Sequence, residues 1–240
     1  MKKIKKSSEL LWIFGIVFVA LGVSICSKAD LGVSMIAAPA FVLSETLMPF
    51  SAFFSVGVTE YLIQGIILLI LCIVVRRFNW KYLLAFAVAV IYGYTLNFFI
   101  WALTEIEFDH VAVRWIMLII GDAITAFGVA CFFKTYMPLQ VYELFVAEIT
   151  ERFSLNINRT KSAFDISLLV ISIIMALALY GDIKTFDWAS FTHTSFHSIG
   201  LGTLVTTAIN SPLIAMMSKL IDKCFNPTPA SSNLEKILRR

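Results

Sequence analysis

Carboxylate side chains inside apolar stretches are the residues of this sequence that are best able to carry chemistry. Asp122 is the clearest case, because it lies well inside the apolar run of residues 113–133. An ionisable side chain at membrane depth costs at least about 2.5 to 3.5 kcal/mol, which makes it a functional candidate by default. Asp122 can bind a solute or couple to protons or sodium, or it can form a structural hydrogen bond to a neighbouring helix.

Three further carboxylates and one glutamine belong to the same group. Glu60 and Asp165 lie near the starts of other apolar runs, where a carboxylate also favours the helix dipole. Glu143 and Gln140 fall in a short apolar segment, residues 138–149. If this segment enters a membrane, Glu143 lines a cavity; if it lies on the surface, Glu143 is solvated. Capping and solvation are the alternatives to a binding role.

Two asparagines and two histidines complete the polar candidates. Asn97 and Asn210 occupy matching places in the third and sixth apolar runs, where they line a pathway or hydrogen-bond neighbouring helices. His193 and His197 are four residues apart, but no third ligand is evident, so we predict no metal site. The sequence has no phosphate-binding glycine loop, no H-E-x-x-H and no nucleophile elbow. We therefore expect no enzyme, no cofactor and no nucleic-acid binding.

The elements that must position these residues are long apolar runs. Hydrophobic residues make up 59% of the 240 residues and charged residues 15%, against about 25% charged in soluble domains. A helix that crosses a membrane needs roughly 20 predominantly apolar residues. Six runs approach this length, so we predict an all-α membrane protein with about six transmembrane helices. The runs are residues 10–27, 56–75, 82–103, 113–133, 164–180 and 199–218.

The basic residues predict the orientation, because Lys and Arg near helix ends stay on the cytoplasmic side. With the N-terminus inside, the two tails and two of the loops carry most of the basic residues, and the other loops carry three. Both termini are then cytoplasmic, and the expected location is the bacterial cytoplasmic membrane. The loop after helix two places Arg76, Arg77 and Lys81 inside, and the loop after helix four places Lys134, Arg152, Arg159 and Lys161 inside. The basic residues placed outside are Lys28, Arg114 and Lys184.

Two apolar segments remain outside this count, residues 32–50 and 138–149. If the first crossed fully, Arg76 and Arg77 would move outside and break the charge rule, although an eight-helix topology stays an alternative. Backbone that enters a membrane without crossing must be shielded by protein or face a cavity. We therefore predict two re-entrant or broken short helices.

An internal repeat relates the two halves of the chain. At an offset of 106, residues 15–45 match residues 121–151 without gaps, including Gly15/Gly121, Gly22/Gly128, Lys28/Lys134 and Glu45/Glu151. Each half holds three crossings, an odd number, so the copies must be inverted. We predict a first repeat at residues 1–107, a second, inverted repeat at 108–224, and a disordered cytoplasmic tail at 225–240. Inverted repeats place a binding site where the halves meet.

Two short motifs carry a family resemblance. Lys28-Ala-Asp-Leu-Gly-Val-Ser34 follows the first helix, and Gly200-Leu-Gly-Thr203 opens the last. With these motifs the chain resembles the YczE/YitT-type family of small bacterial integral membrane proteins. That family is largely uncharacterised, so the resemblance implies a topology and offers no substrate.

These features lead to one functional hypothesis and several rivals. The hypothesis is a secondary transporter of a small polar or amphipathic solute by alternating access, with Asp122 coupling ions or binding the solute. The rivals are a scaffold or regulator that transports nothing, a solute-binding subunit that needs a separate ATPase, and a passive channel. Expected partners are membrane lipids, the unidentified solute, and either a second copy or a partner subunit.

Overall fold

Within the residues that the computed structural model describes, 4–180, 198–229 and 238, the chain forms eight α-helices. Two four-residue strands near the termini, β1 (Ile4–Ser7) and β2 (Phe225–Thr228), pair in parallel. The helices are α1 (Ser8–Lys28), α2 (Ala38–Leu47), α3 (Val56–Val75), α4 (Lys81–Ala102), α5 (Val111–Phe133), α6 (Val141–Phe153), α7 (Ile157–Tyr180) and α8 (Leu201–Cys224).

Six of these eight helices are long and apolar enough to cross a membrane, namely α1, α3, α4, α5, α7 and α8. The other two are shorter: α2 has 10 residues and α6 has 13. At a rise of 1.5 Å per residue they are about 15 and 20 Å long, against a hydrocarbon core of about 30 Å. The predicted fold class, six crossings with two short helices, is therefore confirmed.

Local signals explain where several helices begin and end. The Ser7 hydroxyl accepts a hydrogen bond from the backbone N–H of Leu10 and caps α1. Pro39 lies in the first turn of α2, where its missing N–H costs nothing. Arg76 and Ser154 adopt left-handed backbone conformations, both with φ 53°, directly after α3 and α6. Such a residue stops a helix and turns the chain.

The centre of the molecule is the crossing of α1 and α5. The two helices run antiparallel, with Gly15 against Gly128 and Gly22 against Gly121. A Cβ atom built on Gly22 would lie 2.5 Å from the carbonyl oxygen of Gly121. Only glycine therefore permits this approach, which is the small-residue packing that membrane helices favour.

The contacts at the helix ends define two faces of the molecule. On the terminal face, which holds both termini, Lys134 at the end of α5 pairs with Asp222 near the end of α8 at 2.7 Å. On the opposite face, the Lys28 ammonium group donates to the Thr104 carbonyl oxygen at 2.8 Å, which joins the ends of α1 and α4. The six long helices run alternately between these faces.

Both short helices return to the face from which their segment came. The chain leaves α1 at the opposite face, passes through buried residues 31–35, and returns outward along α2 to α3. The Thr59 hydroxyl of α3 donates to the Ala40 carbonyl oxygen at 2.8 Å and holds α2 against α3. The chain after α5 leaves the terminal face, buries residues 139–144, and returns along α6 to α7.

Two elements differ from their predicted bounds. The fifth apolar run was predicted from residue 164, whereas α7 begins at Ile157, because its first two turns carry polar residues and lack an apolar signal. Lys161, counted above as a loop residue in the charge argument, is therefore a helical residue. The tail predicted to be disordered from residue 225 begins as strand β2. The boundary predicted between 107 and 108 falls in the loop between α4 and α5, and the division into repeats stays a prediction.

Candidate functional site

A small buried cavity lies where the two short segments meet beside the crossing of α1 and α5. Its free volume of about 10 Å³ is room for about one water molecule. The segment before α2 and the start of α6 each contribute three residues to its lining. The lining is Val19, Val23, Ser34, Ile36, Ala37, Tyr92, Thr125, Val129, Gln140, Tyr142 and Glu143.

Several polar atoms at this cavity have no hydrogen-bond partner. They are the Ser34 Oγ, the Tyr142 hydroxyl and the Glu143 Oε2 atom, and all three side chains are buried. A buried polar atom without a partner is costly, so most proteins satisfy it with protein or with water. The cavity therefore offers an incoming small group both donors and acceptors.

Four buried carboxyl groups surround this region, and they are four of the predicted site residues. Glu60 is 0% exposed, Asp122 and Asp165 are 1% exposed and Glu143 is 2% exposed. Both carboxylate oxygens of Glu60 and of Asp122 lack a hydrogen-bond partner. Asp122 lies within electrostatic range of Asp165, Asp165 of Glu143, and Glu143 of Glu60. The tertiary structure therefore brings the four residues into one cluster.

One buried cation balances part of this charge. The Lys161 ammonium group donates to Asp165 Oδ1 at 2.9 Å, and the two side chains are 6% and 1% exposed. Lys161 also interacts electrostatically with Glu143. Burial raises the pKa of the Glu143 carboxyl group above its ordinary value, and the nearby ammonium group opposes this shift. With all four carboxyl groups ionised, four negative charges would face one positive charge.

Glu143 owes its position to the packing of α6. The Phe145 and Phe164 rings stack with 4.8 Å between centroids, which fixes α6 against α7. Glu143 lies in the first turn of α6, where a carboxylate favours the helix dipole. The expectation that it lines a cavity agrees with this geometry, and its role in a pathway stays a prediction.

Glu60 reaches the same region from α3. Its carboxyl group lies near the Tyr142 hydroxyl and the Gln64 amide, although it forms no hydrogen bond of normal geometry with either. Tyr92 of α4 is also within electrostatic range. The alternative role for Glu60, capping of α3, is not seen, because Ser55 is the N-cap residue.

Asp122 does not line the cavity itself. It lies one helical turn before Thr125, which does, and residues three apart share a helix face. Its nearest counterpart in the first half is Ile16, also buried. Asp122 thus lies beside the cavity wall without lining it, and it interacts electrostatically with Asp165.

The predicted amides divide into three environments. Gln140 is buried in the cavity wall. Asn210 is buried in α8 with no partner for its Oδ1 atom, two residues before Pro212, which α8 contains without interruption. Asn97 instead joins two helices: its Oδ1 atom accepts from the Gly57 N–H, and its Nδ2 atom donates to the Ser55 hydroxyl, both at 2.9 Å.

Sequence reasoning missed three members of the cluster. Gln64 lies four residues after Glu60 and Lys161 four before Asp165, so a search for polar residues on the same helix face would have found both. Tyr92 has no such signal, because an aromatic residue in an apolar helix is ordinary core. Its role depends on α4 packing beside α6.

The two motifs that carry the family resemblance touch each other. The Gly202 N–H donates to the Leu31 carbonyl oxygen at 2.8 Å. Gly32 has φ 106°, and a Cβ atom there would lie 2.5 Å from the backbone nitrogen of Gly200. The glycines in both motifs thus serve a close contact between two backbone segments on the opposite face.

Each face also carries an open vestibule beside one short helix. The vestibule on the opposite face, about 450 Å³, is lined by Asp30 and by Glu45 of α2. The vestibule on the terminal face, about 470 Å³, is lined by Arg76, Arg77 and Glu151 of α6. Each short helix therefore connects the neighbourhood of the central cavity to one face.

His193 and His197, the pair considered above for a metal site, lie outside the described residues. Among residues that are described, no three His, Cys, Asp or Glu side chains group closely enough to hold a metal ion.

Comparison with known proteins gives a family and no function. No curated protein and no solved structure matches this chain. The YczE/YitT-type relationship stays a prediction. A family model does match residues 6–219, nearly the whole described membrane region, and the chain therefore belongs to a family of unknown function, DUF6198.

Proposed function

We propose that this protein is a secondary transporter of a small polar or amphipathic solute, working by alternating access in the bacterial cytoplasmic membrane. Its two inverted halves would move against each other around the central cavity, and both termini would lie in the cytoplasm. The observation that carries the proposal is the cavity itself. Residues of both short segments line it, and several of their polar atoms have no hydrogen-bond partner.

The glycine crossing supports the inverted halves. The offset of 106 equates Gly15 with Gly121 and Gly22 with Gly128. In the structure Gly15 contacts Gly128, and Gly22 contacts Gly121. Exchanging the two halves turns the first contact into the second, which is the relation that a twofold axis between α1 and α5 predicts.

The cavity lining follows the same relation. Ten of its eleven residues form five pairs at the offset of 106, and Tyr92 alone has no partner in the lining. A site on a twofold axis between inverted repeats should be lined by equivalent residues of both halves. The pairs are Val19/Thr125, Val23/Val129, Ser34/Gln140, Ile36/Tyr142 and Ala37/Glu143.

The vestibules provide the two ends of a route. Val33 borders the vestibule on the opposite face, and the next residue, Ser34, borders the central cavity. A small displacement of this segment would connect them, and a matching movement of α6 would open the terminal face. A scaffold has no need of vestibules on both faces or of unpartnered carboxyl groups between them.

A test of alternating access needs no knowledge of the solute. Ser34→Cys places a thiol on the cavity wall, while Cys72 and Cys224, the two partly exposed native thiols, are replaced by serine. We expect a membrane-impermeant maleimide to modify this thiol from either face of sealed vesicles. The measurement is the labelled fraction in vesicles of each orientation.

Ser24→Cys is the matched control. Ser24 is equally buried in α1, but its hydroxyl donates to the Ala20 carbonyl oxygen and it does not line the cavity. Reaction at residue 34 at least ten times faster than at residue 24, from both faces, supports the proposal. If neither thiol reacts with the maleimide, the result favours a scaffold. A steady conductance across a bilayer would favour a channel, and co-purification with an ATPase would favour a transporter subunit.

A further inference from the structure

The chemistry of the central cavity is unequal between the two halves, although the backbone positions match. Where the first half places Val19, Ile36 and Ala37, the second places a hydroxyl, a phenol and a carboxyl group at the same offset. Asp122 similarly stands at the position of Ile16. The second half therefore carries nearly all the groups that can exchange a proton or bind an ion.

Glu60 is the first-half carboxyl group that faces this chemistry. It is fully buried, with both carboxylate oxygens unpartnered, and it does not line the cavity. An ionised carboxylate in such a place is strongly unfavourable without a countercharge, and a proton on the carboxyl group itself neutralises it.

The Tyr142 hydroxyl lies within electrostatic range of both glutamates. It is near the Glu60 carboxyl group, and Glu143 is the next residue in α6. A phenol can donate to one oxygen while accepting from another, so it can pass a proton between groups on its two sides. The cavity beside Tyr142 and Glu143 has room for about one water molecule to complete such a route.

We propose that Glu60 and Glu143 form a carboxyl pair that holds one proton, with Tyr142 as the relay between them, and that this proton is the coupling ion. The proposal rests on the transporter function proposed above and adds the identity of the ion. The proton leaves one carboxyl oxygen as the other takes it up, so no further reactant is needed.

The surrounding groups allow this assignment. Gln64 faces the pair from α3 itself, Tyr92 from α4, and Lys161 with Asp165 from α7. Lys161 already has Asp165 as its hydrogen-bonded partner at 2.9 Å, so it does not fully neutralise the pair. Asp122 of α5 interacts electrostatically with Asp165.

Infrared spectroscopy of the purified protein in nanodiscs tests the proton directly. Protonated carboxyl groups have a carbonyl band that ionised ones lack, and exposed carboxyl groups are ionised at neutral pH. We expect the wild-type protein to keep such a band at pH 7 and to lose it only at higher pH. Glu60→Gln and Glu143→Gln should each lower the midpoint of this titration, and the double variant should remove this component.

Tyr142→Phe and Glu107→Gln complete the set. Tyr142→Phe keeps both carboxyl groups and should separate their titrations into two steps, whereas Glu107→Gln, in an exposed loop, should change nothing. Unfolding temperatures show whether each variant is folded. The proposal is overturned if folded single and double variants keep the wild-type band, or if added sodium at constant pH removes it.

This readout is independent of transport. If Ser34→Cys proves inert while the carboxyl titration appears as expected, the pair holds a proton and the transporter function fails. If the thiol reacts from both faces and the band is absent, the transporter function stands and the coupling ion is not a proton.

Discussion

At the scale of single residues, the buried ion pair of Lys161 and Asp165 decides how much negative charge the site must carry. Breaking a buried pair leaves one charge uncompensated and costs more than the pair itself contributes. Removing Lys161 would leave Asp165, and with it Glu143, without the only buried cation among the described members of the cluster.

Lys161→Met is therefore expected to lower the free energy of unfolding by about 3 to 5 kcal/mol. Lys134→Met removes the partly exposed partner of Asp222, whose own side chain is 56% exposed, and should cost no more than about 1 kcal/mol. Denaturant unfolding of both variants in the same detergent measures the difference. The double variant Lys161→Met/Asp165→Leu should recover at least half of the loss; full additivity would contradict a coupled pair.

At the scale of helices, the α1–α5 crossing holds the cavity in place. Its glycines bring the two backbones together, and Val19, Val23, Thr125 and Val129 on the same helices form the cavity wall. Any side chain inserted at the crossing must separate the helices and with them the two halves of the wall.

Gly22→Ala should destabilise the protein, because the new Cβ atom would lie 2.3 Å from Thr125 Oγ1 and 2.5 Å from the Gly121 carbonyl oxygen. Overpacking of this kind costs about 1 to 3 kcal/mol, or on the order of 5 °C in unfolding temperature for a chain of this size. Gly65→Ala is the control, since its Cβ atom meets only the movable Phe86 ring, at 3.2 Å. An equal shift in unfolding temperature for both variants would show that the crossing is not special.

At the scale of the whole molecule, basic residues collect on the terminal face. Apart from the buried Lys161, the described helices and loops place eight of them there and two on the opposite face, so the charge rule predicts that the terminal face is cytoplasmic. The eight are Arg76, Arg77, Lys81, Lys134, Arg152, Arg159, Lys219 and Lys223, and the two are Lys28 and Arg114.

Cysteine labelling in intact cells tests this orientation, again with Cys72 and Cys224 replaced. We expect Glu105→Cys, in the loop between α4 and α5, to react with an impermeant maleimide, and Arg77→Cys to react only after the membrane is permeabilised. Both positions are exposed, so access alone decides the result. Labelling of residue 77 in intact cells would invert the topology and refute the cytoplasmic placement of the termini.

The number of crossings and the short length of two helices could be predicted from sequence because they depend on local properties. An apolar run of about 20 residues must cross, whatever its neighbours do, and charges at its ends bias its direction. The same local reasoning failed at Lys161, whose polar neighbours concealed the first two turns of α7.

The sequence also isolated Glu60, Asp122, Glu143 and Asp165 one at a time, since each stands out against apolar surroundings. Only the tertiary structure decided that they form one cluster, that Lys161 balances Asp165, and that Asn97 belongs to the start of α3 instead. The physical reason is that membrane insertion is a property of each segment, whereas electrostatic contact depends on which helix faces pack together, and that is fixed by contacts between residues far apart in the chain.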